Sequence, residues 1–169
     1  MPIRKATVND IPELVQLINS AYRGESSKKG WTTEADLLDG ARISIDSLAS
    51  MLEKPGVTML LYCNEINSIE GCMYLQQQDN KLYLGLLTVA PQLQAKGIGK
   101  QLLTAAENHA HAVQCTVITM TVISIRRELV AWYERHGYQP TGETKPLPAD
   151  SAVGLPRQAL ELIVMEKTI

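Results

Sequence analysis

The chain has 169 residues, 45% of them hydrophobic, enough to bury one core and consistent with a single domain spanning 1–169. With 16 Lys and Arg against 18 Asp and Glu, the formal net charge is −2, so no overall basic field draws in nucleic acid; small molecules or peptides are the expected partners. Cys63, Cys72 and Cys115 are odd in number, widely spaced and not at metal-ligand spacing with histidines, so they read as buried thiols of a reducing, cytoplasmic compartment, with no metal expected. The longest apolar runs, such as TMLLYC, fall far short of the about 18 residues that a membrane span needs, and no membrane partner is expected.

In chain order, a short strand over Pro2 to Thr7 precedes a helix capped by Asn9 or Asp10. Pro12 lies in its first turn, and Ile11, Leu14, Val15, Leu17 and Ile18 form its apolar face. This helix fades at Tyr22 to Gly24, SSKKG reads as a loop, and Thr33 with Asp36 forms a capping-box pattern ahead of Leu37 and Leu38. A further helix is expected around Ile45 to Lys54, stopped by Pro55-Gly56. Three strand-like runs follow, VTMLLYCN, GCMYLQQQ and KLYLGLLTV, separated by polar turns in the manner of a meander. The last is apolar on both alternating faces, with Leu82, Leu84 and Leu86 on one and Tyr83, Leu87 and Val89 on the other, so it belongs inside a covered sheet. From Gly97 to about Val113 the pattern is helical, with Ile98, Leu102, Ala105, Ala106 and His109 as its apolar stripe. TVITMTVIS is a strand, and RRELVAWYERHGY is a helix ended by Gly137. Two strands, around Gln139 to Thr144 and Ala159 to Lys167, close the chain. Helices, three strands, helix, strand, helix and two strands make a mixed α/β or α+β sheet with helices packed on its faces.

QAKGIGKQLL, residues 94–103, carries the first chemical signal. A glycine-rich turn that opens a helix presents free amides and the positive end of the helix dipole, a site for phosphate. A Walker loop requires glycine at 94 and Ser or Thr at 101, where Gln94 and Gln101 stand. A dinucleotide fingerprint requires glycine at 102, where Leu102 stands. The alternative is that Gly97 and Gly99 merely ease a tight helix entry.

Gln94-Ala95-Lys96-Gly97-Ile98-Gly99 resembles the Q/RxxGxG/A signature of the GNAT superfamily of N-acetyltransferases, and it follows a strand as it does there. Tyr133-Glu134-Arg135-His136-Gly137-Tyr138 resembles the second hallmark, an aromatic helix ending in Tyr-xxx-Gly-aromatic. The resemblance covers nearly the whole chain. It implies a mixed, mostly antiparallel sheet of about six to seven strands, with helices on both faces and a splayed parallel pair holding the cofactor. It also implies acetyl-CoA as acetyl donor, its pyrophosphate cradled by amides of Gln94, Ala95, Lys96, Gly97, Ile98, Gly99 and Lys100. The pantetheine arm would pair with the backbone of Leu87, Thr88 and Val89, where one N–H polarises the thioester carbonyl.

The same resemblance makes Tyr133 the acid that protonates the departing thiolate, since an ordinary phenol titrates near about 10 and is protonated at neutral pH. The competing reading of Tyr133 is a packed helix aromatic, and Trp132 reads as core or cofactor wall. Family members often carry a glutamate base on the central strand, yet residues 82–89 contain no carboxylate. Glu34, Asp36 and Asp39 are the acceptor-side candidates, against a reading as solvated surface charges; Glu65 and Glu70 read as turn residues. Arg126 stands where the family often has asparagine; it reads either as a contact to cofactor phosphate or acceptor carboxylate or, equally, as an ordinary solvated charge at the helix N-terminus. His109, His111 and His136 read as surface or packing residues.

The acceptor pocket of the superfamily falls on 22–42 and on GETKPLPADSAVGLPRQ, where Tyr22, Trp31, Glu34 and Arg42 are the substrate-binding candidates. The leading expectation is transfer of acetyl to a primary amine of a small molecule, an amino acid or polyamine-like metabolite, by direct attack in a ternary complex. A catalytically silent acyl-CoA-binding regulatory module, or an enzyme acting on a protein lysine or N-terminus, is the alternative, and the assembly is left between monomer and homodimer.

Overall fold

The computed structural model describes residues 2–22, 38–39, 43–94, 96–146, 155–156 and 161–169, with 22, 38–39 and 155–156 described by backbone. The strands are β1 Ile3–Lys5, β2 Leu38–Asp39, β3 Val57–Cys63, β4 Ile69–Gln78, β5 Lys81–Val89, β6 Val117–Ile123, β7 Gln139–Pro146, β8 Leu155–Pro156 and β9 Glu161–Thr168. The helices are α1 Ile11–Tyr22, α2 Ile45–Leu52, α3 Ile98–Ala112 and α4 Arg127–Arg135. Seven strands form one sheet in the order β1-β3-β4-β5-β6-β9-β7, and β2 pairs with β8 in a small separate ladder. All pairs in the large sheet are antiparallel except β5 with β6.

Amphipathic periodicity sets each helix on the sheet. In α1, Ile11, Leu14, Leu17, Ile18 and Ala21 recur at three- and four-residue spacing and are all buried. With Leu48 of α2 they cover one face, over Met59, Leu61, Cys72, Tyr74 and Leu86. The opposite face is covered by α3 through Ile98, Leu102, Leu103, Ala106 and Ala110, and by α4 through Leu129 and Tyr133. The α3 stripe thus runs through Leu103 and Ala110, with His109 only half-buried at its edge.

Some local expectations move. The N-terminal cap sits at Thr7, whose N–H donates to Asp10 Oδ2 at 2.8 Å, ahead of a 3-10 turn over Val8–Asp10 that leads into α1. Asp10 instead holds Arg4, with both guanidinium contacts at 2.9 Å. The expected capping box at Thr33 and Asp36 lies outside the described residues, and Leu38 belongs to a strand that pairs with Pro156 rather than to a helix. Ser44 caps α2, accepting from Ser47 N–H at 3.1 Å.

The feature that positions the site is in β5. Cys72 pairs with Thr88 and Tyr74 with Gly85, so Leu86 and Leu87 both stand opposite Met73: a β-bulge. Leu86 has φ +51, and the extra residue reverses the alternation. Leu82, Leu84 and Leu87 therefore enter the α3 side, while Leu86 enters the α1 side, a correction to the face assignment made from period two. Parallel pairing of β5 with β6 covers only Lys81 to Tyr83 opposite Val117 to Thr119. Beyond it β6 stays paired with β9 as far as Ile123, so β5 and β6 diverge and leave a slot.

Gly71 of β4 lets α3 settle onto this region. A Cβ there would lie 3.0 Å from Ile98 Cγ2, 3.1 Å from the Thr88 carbonyl oxygen and 3.2 Å from Leu102 Cδ1. One of these neighbours is backbone and cannot rotate away. Gly71→Val is expected to lower stability by about 1–3 kcal/mol, read as a lower urea midpoint with an unchanged slope.

Candidate active site

Pro91 and a 3-10 turn over Pro91–Leu93 carry the chain from β5 to Gln94, and Gly97 then opens α3 with φ +85, a left-handed conformation that a residue with a Cβ adopts only at a cost. The first bond inside α3 runs from Gln101 N–H to the Gly97 carbonyl at 3.1 Å, so the amides of Ile98, Gly99 and Lys100 have no partner within the helix. Open space lies beyond Gly97, with no heavy atom within 4 Å of where a Cβ would stand. Gly99 serves close approach instead: a Cβ would meet Cη2 and Cζ2 of Trp132 at 3.2 Å. Gln94 ties the loop back to the strand, donating from Nε2 to the Val89 carbonyl at 3.2 Å.

Between this loop and α4 lies a cleft of about 630 Å³, the size of a small-molecule site. Leu87, Val89, Gln94, Gly97, Ile98, Gly99 and Lys100 line one side; Glu128, Leu129, Ala131, Trp132, Tyr133 and Arg135 line the other. Tyr133 is buried and packs edge-on against Trp132 and Tyr138, with ring centroids 5.2 and 5.8 Å away. Trp132 is braced from behind by His136, whose ring lies 4.3 Å away and whose Nδ1 is 2.7 Å from the Trp132 carbonyl oxygen. The cleft is mostly apolar, with Lys100, Arg135 and the dipole of α3 supplying positive potential and Glu128 the negative charge.

The structure thus brings Tyr133 together with Leu87, Val89, Gln94, Gly97, Ile98, Gly99 and Lys100. It leaves other candidates out of the cleft. Thr88 is buried and turned away, its hydroxyl bonded to the Leu86 carbonyl at 2.8 Å. Lys96 is exposed beside the loop, and Arg126 lines an adjoining smaller hollow with Glu128 and Leu129. Ala95, Trp31, Glu34 and Arg42 lie outside the described residues, and Tyr22 ends α1. Glu70 is not a turn residue: it belongs to β4, and its carboxylate accepts from Asn64 Nδ2 at 3.1 Å. Sequence reading missed Glu128, Ala131 and Arg135 as cleft residues. They recur at three- and four-residue spacing with Trp132, and that stripe was the available signal.

The family model described as Acetyltransferase (GNAT) domain matches residues 32–146. The chain belongs to the GNAT family. No curated protein sequence matches it. Among solved structures, ribosomal-protein-alanine N-acetyltransferase from Brucella melitensis is 20% identical over 100% of both chains, with a TM-score of 0.75. PaiA N-acetyltransferase from Thermoplasma acidophilum, solved in complex with coenzyme A, is 18% identical over 99% of this chain and 98% of its own, with a TM-score of 0.71. The smu.2055 protein from Streptococcus mutans UA159 is 18% identical over 99% of each chain, with a TM-score of 0.74. At these identities the likeness is one of fold, and it supports the GNAT sheet with its parallel pair. Membership makes this chain an acyltransferase. No described helix is long and apolar enough to cross a membrane.

The cysteines of this GNAT chain are all buried. Cys72 lies under the bulge with Sγ 3.7 Å from the Leu86 carbonyl oxygen, and burial pushes its thiol up to about 12. Desolvation also raises Cys63 and Cys115. A thiol whose pKa is raised stays neutral and unreactive up to that higher pH. Folded protein is therefore expected to resist a disulfide reagent at pH 8, and to show all three thiols on addition of urea. Fast stoichiometric reaction without denaturant would contradict the burial.

Proposed function

We propose that the protein moves an acetyl group from acetyl-CoA to a primary amine of a small-molecule acceptor, an amino acid or polyamine-like metabolite. The observation that carries the reading is the slot between β5 and β6 opening onto a cleft with a glycine-opened helix N-terminus at one end and a buried tyrosine on its wall. The fit to acetyl-CoA is chemical. Amides of Ile98, Gly99 and Lys100, with the Lys100 ammonium, suit a pyrophosphate; apolar Leu87, Ile98 and Leu129 suit the pantetheine arm; the edge of β5 from Leu87 to Val89, beyond its pairing with β6, suits the amides of that arm. Arg135 and Trp132 suit the nucleotide end. Thr88, Ala95, Lys96 and Arg126 remain contacts of the same proposal, made through backbone or at its margin.

In the reaction the amine nitrogen attacks the thioester carbonyl carbon, a C–N bond forms and the C–S bond breaks. Tyr133 gives its phenolic proton to the departing sulfur, and the proton lost by the amine ultimately balances it, yielding the amide and free coenzyme A. Tyr22, Trp31, Glu34 and Arg42 are proposed to contact the acceptor. A protein N-terminus is the second reading, supported by the name of the Brucella neighbour. Direct attack is preferred to an acetyl-enzyme route because no described cysteine is exposed.

Tyr133→Phe keeps the ring and removes the proton donor. Its turnover, followed as free thiol release, is expected to fall roughly 10²- to 10⁴-fold, nearer the lower end because a thiolate is a good leaving group, with the KM for acetyl-CoA nearly unchanged. Wild-type turnover with chemistry rate-limiting would reduce Tyr133 to a packing residue. Gly99→Asp introduces a side chain against Trp132 and a negative charge at the helix N-terminus, whereas Gly99→Ala introduces only the former. The Asp variant is expected to bind acetyl-CoA at least about tenfold more weakly than the Ala variant. Both should bind acetyl-pantetheine, which lacks the pyrophosphate, equally well. An equal loss for the pantetheine fragment and acetyl-CoA would remove the loop from phosphate binding.

A further inference from the structure

The slot passes through the sheet, so it has a second mouth on the face opposite the cleft. Three observations locate a side chain there. Met120 and Val122 of β6 enter the α3-side core, so Thr119 and Thr121 between them face the other side, where both are half-buried. Tyr83 is the last β5 residue paired with β6, opposite Thr119, and it packs against the α1-side core. Its ring folds along the strand over Gly85, with Cε1 3.0 Å and the hydroxyl oxygen 3.2 Å from where a Gly85 Cβ would stand. Tyr74 braces it edge-on, with ring centroids 6.3 Å apart. The Tyr83 hydroxyl is thereby carried past the last paired residue, to the residue preceding the bulge, and no hydrogen bond to it is found among the described residues.

We propose that Tyr83 is an acceptor-site residue whose hydroxyl receives a hydrogen bond from the incoming primary amine on the α1 side of the slot. This rests on the reading above that acetyl-CoA fills the cleft from the other side. An amine that aims its lone pair through the slot at the acyl carbon must turn its N–H groups back toward the α1 face, where the phenol oxygen is the acceptor on β5. Thr119 and Thr121 extend the polar wall along β6. Gly85 is then glycine for a reason of function as well as packing, since a Cβ would displace the ring that brings the hydroxyl to the mouth.

Two variants test the placement and the role separately, both after a titration that establishes coenzyme A binding to the wild type. Tyr83→Cys is incubated with bromoacetyl-CoA. The thiol sulfur attacks the CH2 carbon, a C–S bond forms, the C–Br bond breaks, bromide leaves and the thiol proton passes to buffer. The expected result is one adduct on residue 83, blocked by excess coenzyme A and absent from the wild type. Tyr83→Phe is assayed with n-butylamine as acceptor; kcat/KM for the amine is expected to fall by about tenfold or more, with coenzyme A affinity within about twofold of the wild type. Coenzyme A binding without labelling of the Tyr83→Cys variant above background, or a Tyr83→Phe enzyme as fast as wild type at subsaturating amine, overturns the proposal and leaves the acetyltransferase reading standing. Absence of coenzyme A binding to the wild type overturns both.

Discussion

One extra residue in β5 organises the molecule. Because Leu86 and Leu87 share a single partner on β4, β5 turns away from β6 after Tyr83, and a sheet that would otherwise be continuous opens. The left-handed backbone at Leu86 costs about 1–2 kcal/mol, while burying a leucine side chain contributes about 1.5–3 kcal/mol. Both leucines remain buried, Leu86 beneath α1 and Leu87 beneath α3, so the packing of two cores outweighs the strain at one residue. The strain persists because the cores on either side determine it, as expected where irregular backbone serves a site.

The opening would be a defect if nothing were seated over it, and two close approaches provide the seat. Gly71 allows Ile98 and Leu102 to press onto β4, fixing the height of α3 above the sheet; Gly99 allows the same helix to abut the Trp132 ring, fixing its distance from α4. The Gln94 to Val89 hydrogen bond then ties the loop to the end of β5. The N-terminus of α3 is therefore referenced to the strand that makes the slot and to the helix that carries Tyr133. Its amides and its dipole act at a set position, so that little ordering is left for a ligand to impose.

Much of this was legible in the sequence. Strong periodicity gave α1, α3, α4 and the β3-β4-β5 meander, because each buries one continuous stripe, and the two glycine-containing motifs pointed to the loop and to Tyr133. What escaped has physical reasons. A bulge leaves no mark in a strand apolar on both faces: KLYLGLLTV reads equally well with either alternation after Gly85, and only the α1 and α3 cores decide which leucine goes where. The Thr7 turn was hidden because Asn9 and Asp10 are as good caps by residue type, and it is Arg4, brought beside Asp10 by β1, that settles its geometry. Glu128, Ala131 and Arg135 escaped because α4 was read for its buried aromatic, whereas a cleft is lined by the flank of a helix between its buried and exposed faces.

In the proposed reaction the sheet is a partition. The donor lies on the α3 and α4 side and the acceptor on the α1 side, and among the described strands the gap between β5 and β6 is where the two can meet. The two sides differ in how much a substitution disturbs. The donor side is built from α3, α4 and β5, whose positions are interlocked by Gly71, Gly99 and the bulge, so a change there reaches the core. Apart from Gly85 beneath the Tyr83 ring, the α1 side of the gap carries no such close approach among the described residues, so side chains around that mouth can change at less cost in stability. Tyr83 stands at the boundary: its backbone is held by the parallel register with Thr119 while its ring lies on the α1 side, where the acceptor is proposed to enter, and this makes it a fixed point against which a variable pocket can be built.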